Sequence, residues 1–232
     1  MTYRNIIFDF DGTITDSRED IAGAQLWVLD QLGVTTYTKE DLYPYIGKPL
    51  HETFVRLLPP SLHDRIPDAT KMYSEYYPPR SLKTTRLFPG VRETLEILQR
   101  EGKRLAVAST KRGTGIRRAT DHFGITGFFV QLQGSEGMPF KPDPFIVNKI
   151  LTDQLWERSE TLMVGDTDSD MLAGESAGVA TCAVTYGSLS ERELKALEPD
   201  FIIRSFPEIL AIVGGAASRS AQHYPQRGQA GT

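Results

Sequence analysis

Two aspartates, Asp9 and Asp11, stand directly after the apolar run Ile6-Ile7-Phe8, and two more, Asp166 and Asp170, follow Leu162-Met163-Val164. Between these pairs lie a hydroxyl, Ser109, after Leu105-Ala106-Val107-Ala108, and an ammonium, Lys141, in Lys141-Pro142-Asp143-Pro144. If strand geometry persists past Phe8, Asp9 and Asp11 project from the same face. Three or more carboxylates in one small space cannot all stay ionised without a compensating cation or a retained proton. Hard oxygen ligands of this kind suit Mg²⁺, which takes a few carboxylates, keeps some waters and shares the oxygens of a phosphate. Lys141 and the Ser109 hydroxyl offer donors to phosphoryl oxygens as charge builds, with Thr110 as a further phosphate-binding candidate. A carboxylate nucleophile splits a displacement at phosphorus into two easier steps through an acyl phosphate. A second carboxyl close by can hold a proton for the leaving oxygen.

Such groups act together only if the chain brings them together. Short apolar runs at 4–8, 105–108, 128–132, 162–164 and 182–184 read as strands, with 201–203 a weaker candidate. Helix-like stretches at 91–100, 115–122, 144–151 and 168–177 lie between them. Strands this apolar, separated by helices, imply an α/β protein with a doubly wound, Rossmann-like parallel sheet covered on both faces. Each polar group then sits at or just beyond the C-terminal end of a strand, the edge where ligands bind in open α/β sheets.

Residues 17–83 break the alternation and read as a small helical cap inserted after the first strand. The remainder, 1–16 and 84–213, forms the Rossmann-like catalytic core. Ser17-Arg18-Glu19-Asp20 has the form of a capping box opening a helix to about residue 32, with Gly33 ending it. Thr38-Lys39-Glu40-Asp41 repeats the signal, and helices near 50–58 and 68–77 follow, broken by Pro59-Pro60 and Pro78-Pro79. This region holds six of the nine tyrosines, which predicts helix packing by Tyr37, Tyr43, Tyr45, Tyr73, Tyr76 and Tyr77. From 214 to 232 the chain is Gly, Ala, Ser, Gln and Arg without periodicity, a composition expected of a flexible tail.

The totals exclude several classes. With 26 basic and 30 acidic side chains the net charge is −4, which gives no electrostatic argument for nucleic acid or an anionic membrane. No window approaches the ~20 apolar residues that cross a bilayer, and Asp9 and Asp11 interrupt the N-terminal apolar stretch too early for a signal peptide. The single cysteine, Cys182, in an apolar run, reads as a small buried hydrophobe. A cytoplasmic protein acting on a small phosphorylated metabolite is expected.

In their order and placement these motifs resemble the haloacid dehalogenase superfamily over nearly the whole chain up to about residue 214. Asp9-Phe10-Asp11-Gly12-Thr13 is similar to its first motif, Ser109 to its second, Lys141 to its third, and Gly165-Asp166-Thr167-Asp168-Ser169-Asp170 to its fourth. The helical insert, Leu87-Phe88-Pro89-Gly90-Val91, Ile46-Gly47-Lys48-Pro49-Leu50, Ala177-Gly178-Val179 and Tyr186-Gly187-Ser188 resemble the phosphoglycolate phosphatase-like branch. The resemblance implies an Mg²⁺-dependent phosphatase with a phospho-aspartate intermediate. Asp9 would be nucleophile and metal ligand, and Asp11 acid then base, its backbone carbonyl also meeting the metal. Asp166 would bind Mg²⁺, Asp170 would act through water, and Ser109 and Lys141 would hold the phosphoryl group. Asp11 argues against the dehalogenases, which have no second aspartate there, and against the phosphonatases, which use a cap lysine. Ser109-Thr110-Lys111 differs from the Thr-Asn-Lys common in phosphoglycolate phosphatases, so phosphoglycolate itself does not follow from the resemblance.

Plainer readings compete. Asp-Gly alone is a turn signal, Ser109 can cap a turn, and Asp170 can cap the following helix. Asp168 reads as a solvated helix-start residue, and Lys48 and Arg56 as exposed helix charges. His51, His63, His122 and His223 lack zinc spacing, and Gly113-Thr114-Gly115 lacks the third glycine of a dinucleotide loop. Two functional rivals remain: a phosphomutase of the same branch, and a phospho-switch that gathers similar groups around Mg²⁺ without catalysing turnover.

Overall fold

In the computed structural model, which describes residues 3–214, the apolar run after Arg4 forms β1 (Asn5–Phe8). The short β2 (Thr15–Asp16) and helices α1 (Arg18–Gln31), α2 (Leu50–Leu57) and α3 (Ile66–Tyr76) follow. The chain returns through β3 (Arg86–Leu87) and then alternates: α4 (Val91–Arg100), β4 (Arg104–Ala108), α5 (Gly113–His122), β5 (Phe129–Gln133), α6 (Phe145–Gln154) and β6 (Thr161–Gly165). It closes with α7 (Asp168–Ser176), β7 (Ala180–Val184), α8 (Glu191–Ala196), β8 (Phe201–Ile203) and α9 (Ile209–Val213). The expected tail, apart from Gly214, lies outside the described residues, as does His223.

Six strands pair in parallel in the order β5-β4-β1-β6-β7-β8. Ile7 stands opposite Ala106 on one side and Met163 on the other. The chain winds from β1 outward to one edge and then returns to wind toward the other. The C-terminal end of β1, flanked by β4 and β6, is therefore the topological switch point where a crevice opens. Side chains alternate between two apolar layers, as period-2 strands require. Ile6, Phe8, Leu105, Val107, Leu162 and Val164 pack with α4, α5 and α9. Ile7, Ala106, Ala108 and Met163 pack on the other face with α6 and α7. Because both layers are apolar, the strands read as continuous hydrophobic runs.

The helical insert has its own apolar cluster, in which Val28, Leu29, Leu42, Phe54, Leu57 and Tyr73 are buried. All six of its tyrosines belong to or pack against that cluster. Trp27 and Tyr76 stack with centroids 3.9 Å apart, and Tyr73 and Tyr77 at 5.2 Å. The two passages of the chain between sheet and insert run antiparallel as β2 and β3, with Thr15 opposite Leu87. A two-residue ribbon is too short to leave a periodic signal, and sequence reading does not find it.

The box expected at Ser17 does not form. The Ser17 hydroxyl makes no capping bond, and Asp20 accepts from the backbone N–H and hydroxyl of both Thr84 and Thr85, at 2.6 to 3.2 Å. The reason is tertiary: the returning passage lies beside the start of α1 and supplies donors that a local box would otherwise provide. The Thr38 signal does produce a reciprocal pair, Asp41 accepting from the Thr38 N–H and hydroxyl, each at 2.8 Å. It opens only a 3₁₀ turn, Glu40–Tyr45, in which Pro44 lacks the N–H to extend a helix. Gly33, at φ +78°, ends α1 as expected.

Candidate active site

Asp9 continues β1 by one residue, its N–H donating to the Val164 carbonyl at 2.8 Å. Its side chain enters a buried cluster at the switch point. The Lys141 Nζ donates to Asp9 Oδ1 at 2.6 Å, to Asp170 Oδ1 at 2.5 Å and to the Ala108 carbonyl at 2.9 Å. Asp170 is further held by the Thr167 N–H and hydroxyl at 3.0 and 2.6 Å, forming the capping box of α7. The helix-cap reading of Asp170 and the site reading are thus both met by one carboxylate, one oxygen for each. Asp166 accepts from the Thr13 hydroxyl at 3.0 Å and from the Ser188 N–H at 2.8 Å.

Carboxylate oxygens of Asp9, Asp166 and Asp170 lie within 4.8 Å of one another, all buried. One ammonium cannot balance three buried carboxylates. Burial outweighs Lys141, and with Asp170 and Asp166 it pushes the Asp9 carboxyl well above the usual carboxylate range. Burial and Asp170 push Asp166 up to about 6, against the Ser188 and Thr13 donors. For Lys141, burial alone favours the neutral amine, but Asp170 and Asp9 overcome it and hold the ammonium above its ordinary value. A hard divalent cation would relieve this excess of negative charge, and the all-oxygen donor set suits one. The backbone is shaped to admit the carboxylates: a Cβ on Gly12, at φ +93°, or on Gly187 would sit 2.2 Å from an Asp166 side-chain atom. The triad could hold a metal ion.

Asp11 is held differently. Ser17 donates to its Oδ1 at 2.7 Å, and the Lys111 Nζ lies 2.8 Å from its Oδ2. Lys111 also donates to the Tyr77 hydroxyl at 3.1 Å, reaching from the sheet edge to the insert. The Asp11 carboxylate is outside the acidic triad and instead lines a cavity of about 660 Å³ between that edge and the helices.

Ser109 is buried just past β4, its hydroxyl accepting from the Lys111 N–H at 3.2 Å. Its carbonyl accepts from Ser135 at 2.7 Å. Thr110, a phosphate-binding candidate, donates its hydroxyl at 3.0 Å to the Gly47 carbonyl of the insert. That donor is already committed here because the insert loop reaches the sheet edge. Lys48 in the same loop lies 3.8 Å from Asp168, both partly exposed, so Asp168 faces the insert as well as solvent.

Sequence reading missed Ser17, Lys111, Thr13 and Tyr77 as site partners. Lys111 had a usable signal, a cation two residues after the Ser109 hydroxyl. Ser17 was masked by the better-known capping pattern, and the Ser188 N–H, a backbone donor, leaves no trace in composition.

A family model described as haloacid dehalogenase-like hydrolase matches residues 6–184. The chain is 31% identical to the pyrophosphatase PpaX of Halalkalibacterium halodurans, over 92% of this chain and 98% of that protein. It is 30% identical to the phosphoglycolate phosphatase of Vibrio parahaemolyticus, over 91% and 96%. Among solved structures, the haloacid dehalogenase-like family hydrolase of Streptococcus pneumoniae superposes with a TM-score of 0.83 at 27% identity, over 90% of this chain and 98% of that one. The chain belongs to the haloacid dehalogenase-like hydrolase family and is an enzyme of its phosphatase branch.

Proposed function

We propose that the chain hydrolyses a small phosphomonoester with Mg²⁺ and passes through a phosphorylated Asp9. The observation that carries this reading is the Lys141 ammonium bridging Asp9 and Asp170, with Asp166 close enough to complete an acidic triad. Asp9, Asp166, Asp170 and the Asp11 backbone carbonyl would hold the ion, which when bound supplies positive charge to a dianionic phosphoryl group and screens it from the nucleophile.

An Asp9 carboxylate oxygen attacks phosphorus, forming an acyl phosphate as the bond to the leaving oxygen breaks. Asp11 gives its proton to that oxygen, which departs as an alcohol. Asp11, now a carboxylate, takes a proton from water. The resulting hydroxide equivalent attacks phosphorus, the bond to Asp9 breaks, and inorganic phosphate leaves with Asp9 restored. Ser17 and Lys111, which bond both oxygens of Asp11, aim it toward the cavity. The Ser109 hydroxyl would offer a donor to a phosphoryl oxygen, and Lys141, whose three N–H groups reach Asp9, Asp170 and the Ala108 carbonyl, would exchange one of these for another phosphoryl oxygen.

We further read 17–83 as a cap that closes over 1–16 and 84–213. The separate apolar cluster of the insert and the paired β2–β3 passage support that division. Phosphate release from a phosphomonoester panel, with Mg²⁺ or with chelator, tests the mechanism alongside Asp9→Asn. Turnover is expected to fall by at least ~10³-fold in the variant and to disappear in chelator. Full activity in either would overturn the reading.

A further inference from the structure

The Asp11 carboxyl hangs between side chains from near the two ends of the insert. Ser17, which donates to its Oδ1 at 2.7 Å, stands just before α1. Lys111, 2.8 Å from its Oδ2, is held in turn by Tyr77, just past the end of α3. The Lys111 side chain is only 13% exposed, so protein partners rather than water fix where its ammonium points. Besides Asp11 Oδ2, they are the Tyr77 hydroxyl at 3.1 Å and the Tyr77 ring, whose centroid lies 5.0 Å away.

The arrangement is built from both sides. Tyr77 stacks on the buried Tyr73 with centroids 5.2 Å apart, and its N–H donates to the Tyr73 carbonyl at 2.9 Å. Its ring and backbone are thus held independently of Lys111. On the core side, the Lys111 stem lies along Gly115 of α5, where a Cβ would come within 3.2 Å of Lys111 Cγ. Glycine inside a helix costs stability relative to alanine, and here it leaves room for that stem. A lysine stem is otherwise flexible. An ammonium held by Asp11 alone would follow that carboxyl; with Tyr77 as second anchor, it sets the direction the carboxyl faces. Each carboxyl oxygen keeps a further lone pair for a proton, and a misaligned group forfeits much of its effect.

We propose that Tyr77 is a positioning residue for proton transfer at Asp11, acting through Lys111. The proton still passes from Asp11 to the leaving oxygen as the P–O bond breaks, and Tyr77 gives up none. Chemistry stays with Asp11 while the insert supplies its alignment. This inference rests on the reading of Asp11 as the acid.

The test compares kcat/KM with Mg²⁺ for two esters in the natural protein and its variants. From 4-nitrophenyl phosphate the leaving oxygen departs as a stable anion; from propyl phosphate it must be protonated. This parameter covers steps only up to departure of the leaving group, so the later attack of water does not enter. Tyr77→Phe keeps the ring and its stacking. In it, propyl phosphate should lose roughly tenfold and 4-nitrophenyl phosphate less than about threefold. Lys111→Met should likewise cost propyl phosphate more than 4-nitrophenyl phosphate, and adding Tyr77→Phe to it should lower neither ester further. Equal losses for the two esters would mark a structural role or direct contact with substrate and overturn the inference. So would a Tyr77→Phe effect that survives in Lys111→Met, or no effect of Tyr77→Phe at all. If Asp9→Asn abolishes release while Tyr77→Phe treats both esters alike, the phosphatase reading stands and this one fails. No phosphate release from either ester would sink both.

Discussion

The two polar regions of this molecule are built to opposite standards. At the switch point of the sheet, Lys141, Asp9, Asp166 and Asp170 are buried; Lys141, Asp166 and Asp170 are multiply bonded with a backbone partner each, and Lys141 holds Asp9. At its base the insert is tied to the core by Asp20, which accepts from Thr84 and Thr85; across the cavity the contacts are sparser: Thr110 to Gly47, Lys48 to Asp168, Lys111 to Tyr77. In the same insert, the Oε1 of the buried Gln25 has no hydrogen-bond partner. A preorganised cluster of charges lets groups act where charge develops without reorganising. A loosely tethered wall can open, close and select. In the proposed function, that difference goes with chemistry at the sheet edge and choice of substrate at the insert.

The sharpest way to break that contrast is to strike the ammonium. Lys141→Met leaves Asp9 and Asp170 buried without their shared counter-charge. Phosphate release should fall by ~10³-fold or more, and denaturant titration in chelator should show a loss of about 3–5 kcal/mol. Near-natural activity with unchanged stability would mean that the cluster is not the preorganised unit described.

A smaller effect follows from the acid–base balance of the same cluster. Asp166 is raised from 3.8 to about 6 in the folded protein. The folded state therefore binds that proton more tightly than the unfolded chain does. Its contribution to stability is present at low pH and is lost as pH rises from about 4 through 6. Between those limits up to about 3 kcal/mol is at stake. Thermal unfolding in chelator across that window should show this decline, and Asp166→Asn should flatten it. A variant that declines as steeply as the natural protein would place the perturbed group elsewhere.

The mildest effect should come from the tether. Lys48→Ala removes a 3.8 Å ion pair whose partners are 38% and 43% exposed, so solvent screening keeps its worth under about 1 kcal/mol. Stability should barely change, and KM for a phosphomonoester should move by less than about fivefold. A collapse of kcat instead would show that the insert carries chemistry, and the division between the two regions would fail.

Much of this was legible in the chain because the signals are local. Strands covered on both faces appear as short apolar runs, and the helix 91–100 shows its periodicity within a few turns. Asp9, Ser109 and Asp166 each stand directly beyond such a run, so their convergence needs only the parallel pairing that the alternation implies. Other features were not legible because they depend on segments distant in sequence. Ser17 reads as a cap, yet its hydroxyl belongs to Asp11; Asp20 reads as its reciprocal partner, yet it ties down Thr84 and Thr85. Capping patterns count only nearby donors, and tertiary approach supplied better ones.

By itself, then, the sequence determined the sheet, its winding and the identities of the charged groups at its edge, since each follows from residue type and a short repeat. Only the tertiary structure decided that Lys141 bridges Asp9 and Asp170, and that Lys111 joins Asp11 to Tyr77. It alone left the Gln25 Oε1 buried without a hydrogen-bond partner. Those outcomes hang on side chains meeting across up to 132 residues of chain, where no periodicity in the sequence records the encounter.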